Sequence, residues 1–139
     1  NKIDFEIIDS GQAYGDYILD ANVAVRSNTN FPIESALVKM DWKVPSYFDY
    51  LENEWHYYMS DRDSGYTNSS GDVNLSASMN STYLSSEESP EVSFYVSCSG
   101  FRSDTIIIDC NQFDTSMWDS TYNVYRQSIE HTIYLIPEN

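Results

Sequence analysis

The chain has 139 residues and carries 22 Asp and Glu against seven Lys and Arg, a formal charge of −15. Such an acidic chain excludes nucleic-acid binding, which needs a positive surface to meet phosphates, and anionic membranes would repel it. Hydrophobic residues are 41% of the chain and aromatics 15%, with twelve tyrosines, so large rings can supply a core although leucine is scarce.

The alternation of Ile3, Phe5 and Ile7 with Lys2, Asp4 and Glu6 predicts a strand over residues 2–9. Ser10-Gly11 and Gly15 mark a turn. Tyr17, Leu19, Ala21, Val23 and Val25 then alternate with polar residues in the clearest strand of the chain. After a loop ending at Pro32, Ala36, Val38, Met40, Trp42 and Val44 form the next apolar face, which Pro45 is expected to end. The stretch from Ser46 to Asn53 has no clean period and reads as a helical turn or folded loop.

Trp55, Tyr57 and Met59 share one face of a further strand, with His56 and Tyr58 on the other. Asp61 to Asp72 reads as a polar connection. Val73, Leu75, Ala77 and Met79 alternate next, and Ser85 to Glu91 is a second polar loop. Val92, Phe94, Val96 and Cys98 form another inward face, followed by a short β-branched strand from Asp104 to Asp109. Residues 112–126 read as an irregular loop leading into a strand. Ile129, His131, Ile133 and Leu135 alternate in the last strand, stopped by Pro137.

About eight strands, no long helix and no βαβ rhythm predict an all-β protein. An antiparallel β-sandwich, immunoglobulin-like or jelly-roll, is the expected architecture, with a closed barrel second. Residues 1–139 suit a single domain. The chain opens on Asn1 rather than Met, shows no signal peptide and is rich in Ser, Thr and Asn. It therefore reads as a module of a larger protein, secreted or displayed at the cell surface. The longest strongly apolar run, Thr105-Ile106-Ile107-Ile108, is far shorter than the roughly 20 residues of a membrane span.

Cys98 and Cys110 enclose eleven residues. In an oxidising compartment they would form one disulfide, closing a loop that contributes about 3 kcal/mol in the chain-entropy model. Two buried unpaired thiols are the alternative.

Trp55, Tyr57, Tyr58 and Trp118 are the candidate ligand-binding residues. One face of the 55–59 strand packs inward, and rings left outside can stack on the C–H edges of a sugar. Tyr47, Phe48 and Tyr50 precede that strand and would either wall a cleft or cap the sandwich. Asp61, Asp63 and Asp72, beside a Gly-rich turn, offer oxygens that suit calcium. The spacing is not that of an EF-hand, and an ordinary turn with Asp accepting backbone N–H bonds is the competing expectation.

Catalysis has little support. His56 and His131 are the only imidazoles, and neither GxSxG, HExxH nor a phosphate-binding glycine loop occurs. A small hydrolase would need a carboxylate pair that the sequence does not single out.

In size, acidity, aromatic richness and polar loops the chain is similar in type to carbohydrate-binding modules of secreted polysaccharide-degrading systems, although no family motif covers it. The leading expectation is a non-catalytic extracellular module that binds polysaccharide by aromatic stacking. The alternative is a protein-binding surface module (an adhesin, a scaffold domain, or a viral or parasite decoy) whose acidic surface engages a basic partner.

Overall fold

Strictly alternating side chains need two apolar layers to face each other, and the chain supplies them as two sheets. The computed structural model describes residues 16–80, 90–109, 118–119 and 124–138. The strand expected over residues 2–9 and the loop from Ser85 lie wholly or largely outside them. Eight strands are present among the described residues: β1 (Asp16–Ser27), β2 (Leu37–Asp49), β3 (Glu54–Tyr66), β4 (Asp72–Asn80), β5 (Glu91–Ser97), β6 (Asp104–Asp109), β7 (Trp118–Asp119) and β8 (Val124–Leu135). They form two four-stranded sheets, ordered β4-β1-β8-β7 and β3-β2-β5-β6. The all-β sandwich is therefore the fold. One pairing departs from a purely antiparallel plan: β1 and β8 run parallel, Asp16 opposite Val124 through Ser27 opposite Leu135.

The periodicity that marked the strands also builds the core. Leu19, Ala21, Val23 and Val25 of β1 and Ile133 and Leu135 of β8 face Val38, Met40, Trp42 and Val44 of β2 and Val92, Phe94 and Val96 of β5, all buried. Trp42 and Phe94 are the largest fully buried side chains. Each such residue contributes roughly 1.5–3 kcal/mol of burial.

Two loops at one end are tied by Thr67. Its hydroxyl accepts from Ala36 N at 2.9 Å and donates to Ile33 O at 2.6 Å, while Ser35 N donates to Thr67 O and Thr67 N to Ala36 O. Gly71 closes the neighbouring turn with φ +79, and a Cβ there would meet Val25 O at 2.6 Å, so only glycine fits.

Three elements differ from their sequence expectation. β2 does not stop at Pro45 but pairs through it, Pro45 opposite Tyr57, and runs to Asp49. β5 pairs β2 only as far as Lys43, so among the described residues no ladder on that side requires an N–H from position 45. Beyond Lys43, β2 and β3 pair only with each other among the described residues, and this part forms an arm whose base, Val44 and Pro45, is buried. β3 in turn runs to Tyr66, where a polar connection was expected, because its aspartates find backbone partners on β4. In the stretch 112–126, expected as a loop leading into a strand, β8 does begin at Val124, but the short strand β7 at Trp118–Asp119 was not expected.

Candidate functional site

The arm spans roughly residues 44–58 and closes with a four-residue loop between Asp49 and Glu54, which pair. Asn53 takes a left-handed conformation, φ 57, which Asn tolerates better than most residues. Asp49 Oδ1 accepts from the N–H groups of Leu51 at 2.9 Å and Glu52 at 3.2 Å, and Oδ2 meets His56 Nε2 at 3.1 Å. The Glu52 N–H, followed by the His56 contact, holds the Asp49 carboxyl below its ordinary range.

Side-chain contacts between facing positions stabilise a strand pair. Here rings do so in register. Tyr47 lies opposite His56 and stacks on it, centroids 4.7 Å apart and planes within 10°. Phe48 lies opposite Trp55 and meets it edge to face at 5.7 Å, and Tyr50 packs edge-on to Phe48 at 4.9 Å. Cross-strand aromatic pairs of this kind contribute about 0.5–1 kcal/mol each. The arm also shows rings to solvent: Tyr47 is 56% exposed, Tyr50 87% and Tyr58 41%, with Leu51 at the tip 96% exposed.

Of the four rings singled out in the sequence, Trp55, Tyr57 and Tyr58 stand together on the arm. Trp55 and Tyr57 are half-buried and Tyr58 is exposed. Trp118 is not brought to them. It sits in β7, at the far edge of the other sheet from β4, the strand that faces β3. Tyr47, Asp49 and His56 are the additional members of the site. A signal for the hairpin was present in Asp49 and Asn53, which bracket the loop, with Asn at the position that turns left-handed.

The three aspartates considered for calcium do not converge. Asp61 Oδ2 accepts from Ser78 N at 2.7 Å and Oδ1 from Arg62 N at 2.8 Å. Asp63 Oδ2 accepts from Ser76 N and Oδ1 from Ser64 N, each at 2.9 Å. Both carboxylates thus clip the edge of β3 to the edge of β4, satisfying edge N–H groups that would otherwise be open. Asp72 lies at the start of β4, opposite Ala24. Among the described residues no three His, Cys, Asp or Glu side chains are grouped to hold a metal ion.

Cys98 is a half-buried free thiol. Cys110 lies outside the described residues; Asp109, which precedes it, pairs with Glu91 at the opposite end of β5 from Cys98. His131 is half-buried on β8 beside Val23. An open groove of about 700 Å³ crosses the outer face of the first sheet, lined by Asn22, Asn74, Asp72, Glu130 and Thr132 among others. It offers amides, carboxylates and His131, but no Tyr, Trp or Phe among its lining residues.

The sandwich places the chain in a structural class shared with known enzymes. Its fold is similar to that of 3-chlorocatechol 1,2-dioxygenase from Rhodococcus opacus 1CP, with a TM-score of 0.56 at 12% identity over 92% of this chain and 63% of that one. The catechol 1,2-dioxygenase from Acinetobacter sp. ADP1, solved with bound mercury, gives 0.53 at 13% identity over 95% and 56%. The Acinetobacter radioresistens catechol 1,2-dioxygenase gives 0.50 at 15% identity over 94% and 54%. This chain thus spans less than two thirds of the length of these enzymes, and at such identities the likeness carries the fold alone. No protein-family model and no curated protein matches the sequence.

Proposed function

We propose that the chain is a non-catalytic binding module whose recognition element is the β2–β3 arm, and that its ligand is a polysaccharide held by ring stacking. The observation that carries this reading is the Tyr47–His56 stack. His56 covers one face of the Tyr47 ring and is itself held by Asp49, while the ring remains more than half exposed. A ring fixed in orientation before binding loses little rotational freedom when a pyranose lies on it. Tyr58 extends the exposed aromatic surface along the arm, and the exposed Glu54, opposite Asp49 at the end of the arm, adds a carboxylate to which a sugar hydroxyl can donate. Secretion or cell-surface display of the parent protein follows as part of the same proposal.

A second reading is favoured by one observation. The tip residues Tyr50 and Leu51 are almost fully exposed, and an aliphatic tip suits a protein pocket better than a sugar.

Retardation of the purified chain in native gels containing soluble polysaccharides tests the two together. Polysaccharide recognition predicts retardation by at least one glucan or xylan, lost in Tyr47→Ala and kept in Leu51→Ser. Absence of retardation on every polysaccharide would overturn it in favour of a protein partner.

A further inference from the structure

Each sheet of an open sandwich ends in strands whose outer N–H and C=O groups need an explanation. On one side of this molecule the explanation is internal. The β3 and β4 edges face each other, and Asp61 and Asp63 occupy the N–H groups of Ser78 and Ser76. The second sheet ends at β6 on its other side, and among the described residues no strand pairs with the outer edge of β6.

β6 is built as a template for another strand. Its sequence, Asp104-Thr105-Ile106-Ile107-Ile108-Asp109, has high β propensity throughout. It pairs with β5 from Asp109 opposite Glu91 to Asp104 opposite Val96 without a shift of register. Ile108 is buried and Ile106 packs against the core, which fixes the strand from within. Ile107 points outward and is 63% exposed, with Tyr95 on the neighbouring strand 40% exposed. The devices that usually blunt an edge are a bulge, a proline or an edge lysine, and β6 contains none of these. An acidic residue stands at each end, and Asp104 Oδ1 already accepts the Thr105 N–H at 2.9 Å.

We propose that β6 receives an extended segment of a partner protein by strand addition, and that this segment carries basic residues on either side of a short β-branched core. Main-chain bonds to the edge would supply affinity, and side-chain pairing at the ends would supply selectivity. Charge argues for this occupant over the two others available. A second copy laid antiparallel about Ile106 and Ile107 would set Asp104 opposite Asp109 at both ends, and would join two chains each of charge −15. The N-terminal stretch of this chain is acidic too, with Asp4, Glu6 and Asp9. A strand with Lys or Arg five positions apart places opposite charges at both ends. Long-range attraction to the acidic molecule would also speed its approach.

The test uses the full chain and two peptides of identical core, Lys-Thr-Val-Val-Thr-Lys and Glu-Thr-Val-Val-Thr-Glu, with binding read from amide shifts and hydrogen exchange. The lysine peptide is expected to bind at least roughly tenfold tighter than the glutamate peptide and to slow exchange at the β6 amides. The double variant Asp104→Lys/Asp109→Lys, checked for an unchanged melting temperature, should reverse that preference. Tyr47→Ala should bind the lysine peptide as the wild type does, which separates this site from the arm. Equal binding of both peptides, or binding of neither, overturns the proposal. So does full protection of the β6 amides before any peptide is added, since a segment of this chain or a second copy would then already hold the edge.

Discussion

Replacing Asp61 and Asp63 together by Asn isolates what their carboxylates do. Each accepts an N–H from its own strand on one oxygen and from β4 on the other: Arg62 N and Ser78 N for Asp61, Ser64 N and Ser76 N for Asp63. Asn keeps the shape but turns one acceptor into a donor. Whichever way the amide rotates, one N–H group faces another. A net hydrogen bond contributes about 1 kcal/mol, somewhat more to a charged acceptor and less where solvent screens it. With one inter-strand bond weakened at each site, the double variant should lose about 2 kcal/mol, or roughly 5–8 °C in melting temperature for a domain of this size. Thermal and urea unfolding, run in EDTA and again in calcium, would measure it. The reasoning is refuted by an unchanged midpoint in the variant. It is refuted equally by a calcium-dependent rise in the wild type that the variant lacks, because the carboxylates would then be metal ligands.

Other consequences are equally direct. Thr67→Val keeps the side-chain shape but strands the Ala36 N–H and the Ile33 carbonyl at a buried site; about 2–4 kcal/mol should be lost in urea unfolding. Asp49 has a lowered folded pKa, so the stability it contributes is present above its ordinary value of 3.8 and is lost as pH falls through the lower folded value. The stability gap between wild type and Asp49→Asn should therefore hold at neutral pH and begin to close only below about pH 4. The β5–β6 register sets the residue before Cys110 at the far end of β5 from Cys98, beyond the roughly 7 Å Cα separation that a disulfide spans. Intact mass after alkylation without reductant should show two modified thiols, and an unmodified chain would mean that the pairing of β5 with β6 is wrong.

Much of the sandwich was legible because burial on one face imposes a period of two. Tyr17 to Val25, Ala36 to Val44 and Val92 to Val96 announce their strands in this way, and all lie in the core. The arm was less legible. Pro45 is a strand breaker only where a neighbour needs its N–H, and the point at which β5 stops pairing is a tertiary fact. The far half of β3 was hidden for a related reason: Asp61 and Asp63 stand where apolar residues would be expected, their positions opposite Trp42 and Met40 being on the core side of the sheet. They are stable there because they sit at an edge within reach of β4. The parallel pairing of β1 with β8 leaves no mark on a local pattern at all. At the candidate site, the ring-rich composition of residues 47–58 was visible. The register that stacks Tyr47 on His56 and separates Trp118 from them was not.

The most direct test of the central claim is a titration of the isotope-labelled chain with an oligosaccharide of whichever polysaccharide retards it, followed through backbone amide shifts. The account predicts shifts concentrated between Val44 and Tyr58, strongest near Tyr47 and His56 and absent in Tyr47→Ala. Shifts centred instead on Asn22, Asn74 and Glu130, in the groove across the outer face of the first sheet, would contradict it and move the recognition surface away from the arm.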